Sequence, residues 1–101
     1  MTLAEIKERL VGTGFPVAYS HFSERMDPPF ICYMQTGTDN FAADDAVYFP
    51  VKNVRVELYT NKKDLSAEGK VETALSDIYW EMNESYIKEE NLYQIIYEIE
   101  V

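Results

Sequence analysis

The sequence predicts an α+β domain in which a mainly antiparallel sheet carries two helices packed on one face. Its 101 residues leave room for a single hydrophobic core. Two segments, near residues 3–11 and 65–78, have apolar residues at helical spacing, whereas most of the remainder alternates apolar and polar residues as strands do. The element order is roughly αββββαββ. Because this order lacks repeated strand–helix–strand units, it favours the α+β class over α/β.

The ends of both helices are marked by capping signals. Thr2 and Glu5 have the spacing of a capping box, which predicts that the first helix begins there. Gly12 is expected to end it, and Asp64 is a suitable N-cap for the second helix. The predicted apolar stripes are Leu3, Ile6, Leu10 and Val11 in the first helix and Val71, Ala74, Leu75 and Ile78 in the second.

Six strands are expected from the alternating and apolar segments. Phe15–Phe22 and Phe30–Met34 precede the long segment 47–60, which Pro50 divides into two because proline has no amide proton to give to a sheet. Segments 80–87 and 92–101 close the chain. From residue 54 onward the third segment alternates apolar with polar positions, which predicts a strand with one buried face.

An acidic run of small residues interrupts the predicted strands. We expect a flexible acidic loop at about 37–46 within a single domain that spans residues 1–101. This loop is the expected contact with a partner or a lumen. Its candidate interaction residues are Asp39, Asn40, Phe41, Asp44 and Asp45.

A candidate subunit interface follows on the next strand. Arg55 and Glu57 would form a polar rim beside an exposed Tyr59. The chain has eight tyrosines, and tyrosine suits interfaces because it joins a large apolar area to a polar tip.

The net charge of −9 excludes several function classes. An acidic surface repels nucleic-acid phosphates and anionic membranes, so we expect neither specific nucleic-acid binding nor membrane association. The apolar runs are too short to span a bilayer. Cys32, the only cysteine, fits a reducing compartment, and the charged amphipathic stretch from Met1 to Leu10 is unlike a signal peptide.

No catalytic, cofactor-binding or metal-ligating set is predicted, so we do not expect an enzyme. His21 is the only histidine, and on a strand its side chain would point away from that of Ser20. Cys32 lies in an apolar run and is expected to be a small core residue. The aspartates at 39, 44 and 45 lack the spacing of a calcium loop. Only a cleft joining His21, Cys32 and a carboxylate would favour catalysis.

In this setting the chain resembles the small tail-completion proteins of long-tailed phages and prophages, of the tail-terminator or head–tail joining type. The resemblance is carried by segments Gly12–Tyr19, Pro29–Tyr33, Asp39–Asp44, Val54–Thr60 and Asp64–Glu72. It implies a structural α+β subunit without catalysis or cofactor. Such subunits form a homo-oligomeric ring, often hexameric, that contacts tail-tube and neck proteins while DNA passes through its lumen. The implied location is the virion, after assembly in the host cytoplasm.

One alternative remains open on the sequence. An acidic inhibitor that mimics DNA would bind a nucleic-acid-binding protein through carboxylates spaced like phosphates along one face. Here the acidic residues cluster in loops and toward the carboxy terminus, which favours the structural interpretation.

Overall fold

The computed structural model describes the backbone of residues 1–43 and 46–101 and the side chains of residues 1–39 and 51–101. Its elements are α1 (Leu3–Val11), β1 (Val17–Tyr19), β2 (Phe30–Ala43), β3 (Ala46–Thr60), α2 (Leu65–Ala74), β4 (Trp80–Ile87) and β5 (Leu92–Glu100). The described strands form a five-stranded sheet in the order β1-β2-β3-β5-β4. Its β1–β2 pair is parallel and its other three pairs are antiparallel. The predicted α+β class with a mainly antiparallel sheet is confirmed.

Both helices begin at the residues that the capping signals indicate. The Thr2 hydroxyl accepts a hydrogen bond from the Glu5 amide at 3.1 Å, and the Glu5 carboxylate accepts one from the Thr2 amide at 3.3 Å. Asp64 accepts from the Ala67 amide at 3.1 Å at the start of α2. These bonds satisfy backbone donors that would otherwise have no partner within the helix.

One face of the sheet packs against both helices and forms the core. Because side chains alternate along a strand, every second residue within 31–33 of β2, 54–58 of β3 and 95–99 of β5 reaches this face. Register places them side by side: Tyr33, Val56 and Tyr97 lie in one row across three strands. The buried core is Ile6, Leu10, Ile31, Tyr33, Val54, Val56, Leu58, Ala67, Val71, Leu75, Ile95, Tyr97 and Ile99.

Three strands, and not the predicted four, separate the two helices. The error lies at Pro50, which does not divide β3. Pairing between β3 and β5 starts only at Asn53, so no described strand lies beside β3 at Pro50 on the side away from β2. Since no neighbour needs its amide proton, proline is accommodated in one continuous strand.

The predicted loop at about 37–46 is also wrong for most of its length. Residues 37–43 belong to β2 and residue 46 to β3, while Asp44 and Asp45 lie outside the described residues. Small and acidic residues are poor strand formers in general. Their pairing with the first part of β3, in register from Asn53 to Ala46, supplies hydrogen bonds that local propensity does not anticipate.

Candidate functional site

A two-stranded arm, made of residues 37–43 of β2 and 46–52 of β3, extends beyond the rest of the sheet. β1 pairs with β2 no further than Tyr33, and β5 pairs with β3 no nearer the arm than Asn53. Among the described residues of the arm, the two strands pair only with each other, apart from one hydrogen bond from the Val101 amide to the Lys52 carbonyl. The fourteen residues of β2 span about 48 Å at the rise of an extended strand, which matches the long axis of the 50 × 26 × 23 Å molecule.

A bulge marks the base of the arm. The β2–β3 register shifts between Gln35 and Gly37, so that Thr36 is the extra residue. Its hydroxyl donates to the Asn53 carbonyl at 3.3 Å. A bulge increases the twist and bends the strand, so this residue sets the direction in which the arm leaves the sheet. Gly37, unusual inside a strand, is the sequence signal that would have located it.

Both edges of the arm carry backbone groups with no neighbouring strand among the described residues. The Lys52 carbonyl accepts from the Val101 amide at 2.9 Å, so Lys52 directs its backbone groups away from β2. Backbone direction alternates along a strand, and Thr38 lies opposite Lys52 in the register. The amide of Thr38 therefore faces the open edge on the β2 side. Exposed strand edges of this kind are templates for pairing with another chain.

Three of the five predicted interaction residues lie on the described part of the arm. Asp39 is exposed and pairs in register with Val51. Asn40 and Phe41 continue β2 opposite Pro50 and Phe49. The other two, Asp44 and Asp45, fall outside the described residues.

The predicted interface residues lie on the sheet face opposite the helices, and two of them are more buried than expected. Arg55 is half-exposed and pairs with Glu98 across β3 and β5, with 3.4 Å between Nε and Oε1. Glu57 retains only 9% of its exposure. Tyr59, predicted to be exposed, is partly buried because Phe30 stacks on it at 4.8 Å between ring centroids. The alternation of apolar and polar residues predicted that β3 has one buried face. In the structure, packing also covers part of its other face.

Glu57, Tyr59 and Gln94 form a hydrogen-bonded network on this second face. The Tyr59 hydroxyl donates to Glu57 Oε1 at 3.2 Å. Gln94 Nε2 donates to the Tyr59 hydroxyl at 2.9 Å and to Glu57 Oε2 at 3.4 Å. Burial raises the pKa of Glu57, against the lowering effects of the Tyr59 hydrogen bond and the Arg55 charge. Burial, with the nearby Glu57 charge, also raises the pKa of Tyr59 to about 12.

A cleft of about 760 Å³ lies between the segment 20–28 and the turn that joins β4 to β5. The aromatic rings of Phe22, Phe30 and Tyr59 lie along it, with Glu24 and Arg25 on one side and Glu89 and Glu90 on the other. This cleft was not predicted as a binding site. It forms only because the 20–28 segment folds back over the second face of the sheet, and no local pattern encodes that path.

His21 and Cys32 both line this cleft, together with carboxylates. No hydrogen bond joins them among the described residues. His21 Nδ1 instead lies 3.2 Å from Ser20 Oγ. The side chains of His21 and Ser20 were expected on opposite faces of a strand. In the structure β1 ends at Tyr19, and Ser20 has a positive φ of 68°. Burial raises the pKa of the Cys32 thiol to about 11, which disfavours the nucleophilic thiolate.

No protein-family model matches this chain, and no curated protein matches it as a relative. Neither described helix has the length and apolar character that crossing a membrane requires. In the part of the chain that the structure describes, no three His, Cys, Asp or Glu residues are grouped so as to hold a metal ion.

Proposed function

We propose that this protein is a structural component of a phage or prophage virion that assembles through its arm. In this proposal it forms a homo-oligomeric ring at the tail–neck junction, as a tail terminator or head–tail joining protein. It contacts tail-tube and neck proteins and catalyses no reaction. The observation that carries the proposal is the two-stranded arm with open edges on both sides.

The arm is a two-stranded ribbon. A two-stranded ribbon in water is marginally stable at best and needs a third strand or a packed face to persist. Among the described residues, no third strand pairs with residues 37–43 or 46–51. A long arm with unpaired edges is a hazard for a protein that works alone. It is expected in a subunit whose neighbour supplies the missing contacts.

A different open edge lies at the other side of the described sheet. β4 is an edge strand of eight residues, paired on one side with β5. Along it, Met82 and Tyr86 keep 44% and 49% of their exposure. A ring is built from head-to-tail contacts, so each subunit needs two unlike surfaces. The arm and the β4 edge are two such surfaces.

The protein is strongly acidic. Eighteen acidic residues against nine basic ones give the net charge of −9. A ring through which DNA passes benefits from a lumen that does not bind phosphates. Acidic character therefore supports a passive conduit and opposes a protein that grips DNA.

Shortening the arm tests the proposal. Asp39 and Val51 face each other, and because Lys52 directs its backbone groups outward, Val51 directs its own toward β2. Residues 40–50 can therefore be replaced by Asn-Gly, which closes such a pair in a type I′ turn. We expect the shortened chain to keep its fold, because the described core contains none of these residues. We expect sedimentation velocity to detect self-association of the intact chain and not of the shortened chain.

A pair of point variants separates edge pairing from other effects. Thr38→Pro removes the amide that faces the open edge, whereas Thr38→Val keeps it and preserves strand propensity. The proline variant should weaken self-association and the valine variant should not. An intact chain that stays monomeric at high concentration and at several ionic strengths would contradict ring formation. Equal association of the intact and shortened chains would contradict the role of the arm.

A further inference from the structure

The cleft between residues 20–28 and the β4–β5 turn has the size of a ligand site. Its volume of about 760 Å³ lies within the range of about 300–1,000 Å³ that is typical of small-molecule pockets. Such pockets combine apolar and aromatic walls with a few polar groups that fix orientation. The proposed assembly role uses other surfaces and leaves this cleft without a function.

Aromatic side chains form one wall of the cleft. Phe30 and Tyr59 stack with an interplanar angle of 20°, and Phe22 meets Phe30 edge-on at 5.5 Å between centroids. Such rings present apolar area to a flat ligand, and their faces attract a cation. The wall therefore favours a planar ligand that carries an apolar body.

The rim of the cleft is acidic. Glu24, Glu89 and Glu90 line it, and Arg25 is the one Lys or Arg among its lining residues. None of these four residues takes part in an ion pair within the described residues. Carboxylates at the mouth of a low-dielectric cleft attract cations and repel anions.

A buried polar group also lies at the cleft without a partner. The Cys32 side chain lines it, keeps 4% of its exposure and makes no hydrogen bond among the described residues. Glu57 lies beside it in the register of β2 and β3. The cleft therefore joins an aromatic wall, a buried thiol donor and an acidic rim.

We propose that this cleft binds a small planar organic cation, an amidinium or guanidinium attached to an apolar body. The cationic group lies between the carboxylates of Glu89, Glu90 and Glu24, and the apolar body lies against Phe22 and the Phe30–Tyr59 pair. A guanidinium suits this site because it is planar, stacks on aromatic faces and bonds carboxylates through two parallel donors.

Three probes of the same shape test the charge requirement on the intact chain. Benzamidine is cationic, benzamide is neutral and benzoate is anionic, so differences among them report the charge and the hydrogen-bonding groups that accompany it. We expect benzamidine to bind about tenfold more tightly than benzamide, with benzoate weakest. Amide chemical shifts in an ¹⁵N-labelled sample give the affinity, and the largest changes should fall at residues 21–26 and 89–92.

Matched double variants locate the site. Glu89→Gln with Glu90→Gln should weaken benzamidine binding roughly fivefold, as expected for two exposed charge interactions. Glu8→Gln with Glu100→Gln changes the net charge equally at exposed positions away from the cleft and should have no effect. Equal binding of benzamidine and benzamide, equal weakening by the two double variants, or shift changes elsewhere would each overturn the proposal.

A second ligand distinguishes two sources of the same chemistry. N-acetylarginine amide carries the planar cation on an amino-acid side chain, whereas benzamidine carries it on a free aromatic ring. Tighter binding of the arginine derivative assigns the site to a side chain presented by a polypeptide. Tighter binding of benzamidine assigns it to a free aromatic cation. If neither cation binds more tightly than benzamide, the cleft is not a cation site.

Discussion

Replacement of Tyr97 by Phe tests how the sheet is joined to α2. Tyr97 is fully buried at the centre of β5, and its hydroxyl donates to Glu72 Oε2 on α2 at 2.8 Å. Its ring also meets the only tryptophan, Trp80, edge-on at 5.3 Å. Phenylalanine keeps the ring and this aromatic contact, so the substitution removes the hydrogen bond and little else.

The expected loss follows from the partners of this bond. A hydrogen bond to a charged group contributes about 1.5–3 kcal/mol to stability. Glu72 is half-buried, so water can hydrogen-bond to part of its carboxylate after the substitution. This solvation reduces the cost to about 1–2 kcal/mol. For a domain of this size, each kcal/mol lowers Tm by about 4–8 °C. Glu72→Gln keeps an acceptor and should cost less than Tyr97→Phe.

Urea unfolding, followed by the fluorescence of Trp80, measures these changes. The double variant, with both substitutions, should be about as stable as Tyr97→Phe alone because the two side chains share one interaction. Tyr86→Phe is the matched control, since its exposed hydroxyl donates to Asn91 Oδ1 at 3.1 Å. We expect the control to cost less than about 0.5 kcal/mol. Equal losses at residues 86 and 97, or full additivity in the double variant, would refute the reasoning.

Two further predictions concern the second face of the sheet. Glu57→Gln should stabilise the protein at neutral pH, because burial raises the pKa of Glu57 above its ordinary 4.5 and the folded state then holds its proton more tightly than the unfolded state. In the parent protein the free energy of unfolding should fall as pH rises from 4.5 through the raised pKa of Glu57. The Glu57→Gln variant should lack this fall, and the same pH dependence in both proteins would contradict the prediction. Cys32, with a thiol pKa of about 11, should react at pH 8 roughly 100-fold more slowly with a disulfide reagent than the urea-unfolded chain. Comparable rates would show that the thiol is accessible and that its pKa is not raised, which would contradict its burial.

The helix starts were predictable because their causes are local. Thr2 and Glu5 satisfy each other's backbone donors within one turn, and Asp64 accepts a hydrogen bond from the Ala67 amide at the start of α2. The alternation in β3 likewise identified its core face, since Val54, Val56 and Leu58 are buried as expected. Interactions between residues a few positions apart leave a readable pattern in the sequence.

The arm could not be predicted in the same way. Its residues from Gly37 to Ala43 have weak strand propensity, and they are extended because β3 pairs with them in register. The burial of Tyr59 was also unpredictable. It depends on Phe30 and on the path of residues 20–28 across the second face. The same path creates the cleft.

The sequence by itself determined the α+β class, the two capped helices and the core face of the sheet, because each follows from hydrogen bonds or periodicity within one element. Only the tertiary structure decided that residues 37–43 extend a strand into an arm, and that an aromatic cleft with an acidic rim lies on the sheet face opposite the helices. Both depend on contacts between segments far apart in the chain. The cost of closing such contacts is met by cooperative packing, which local composition does not record.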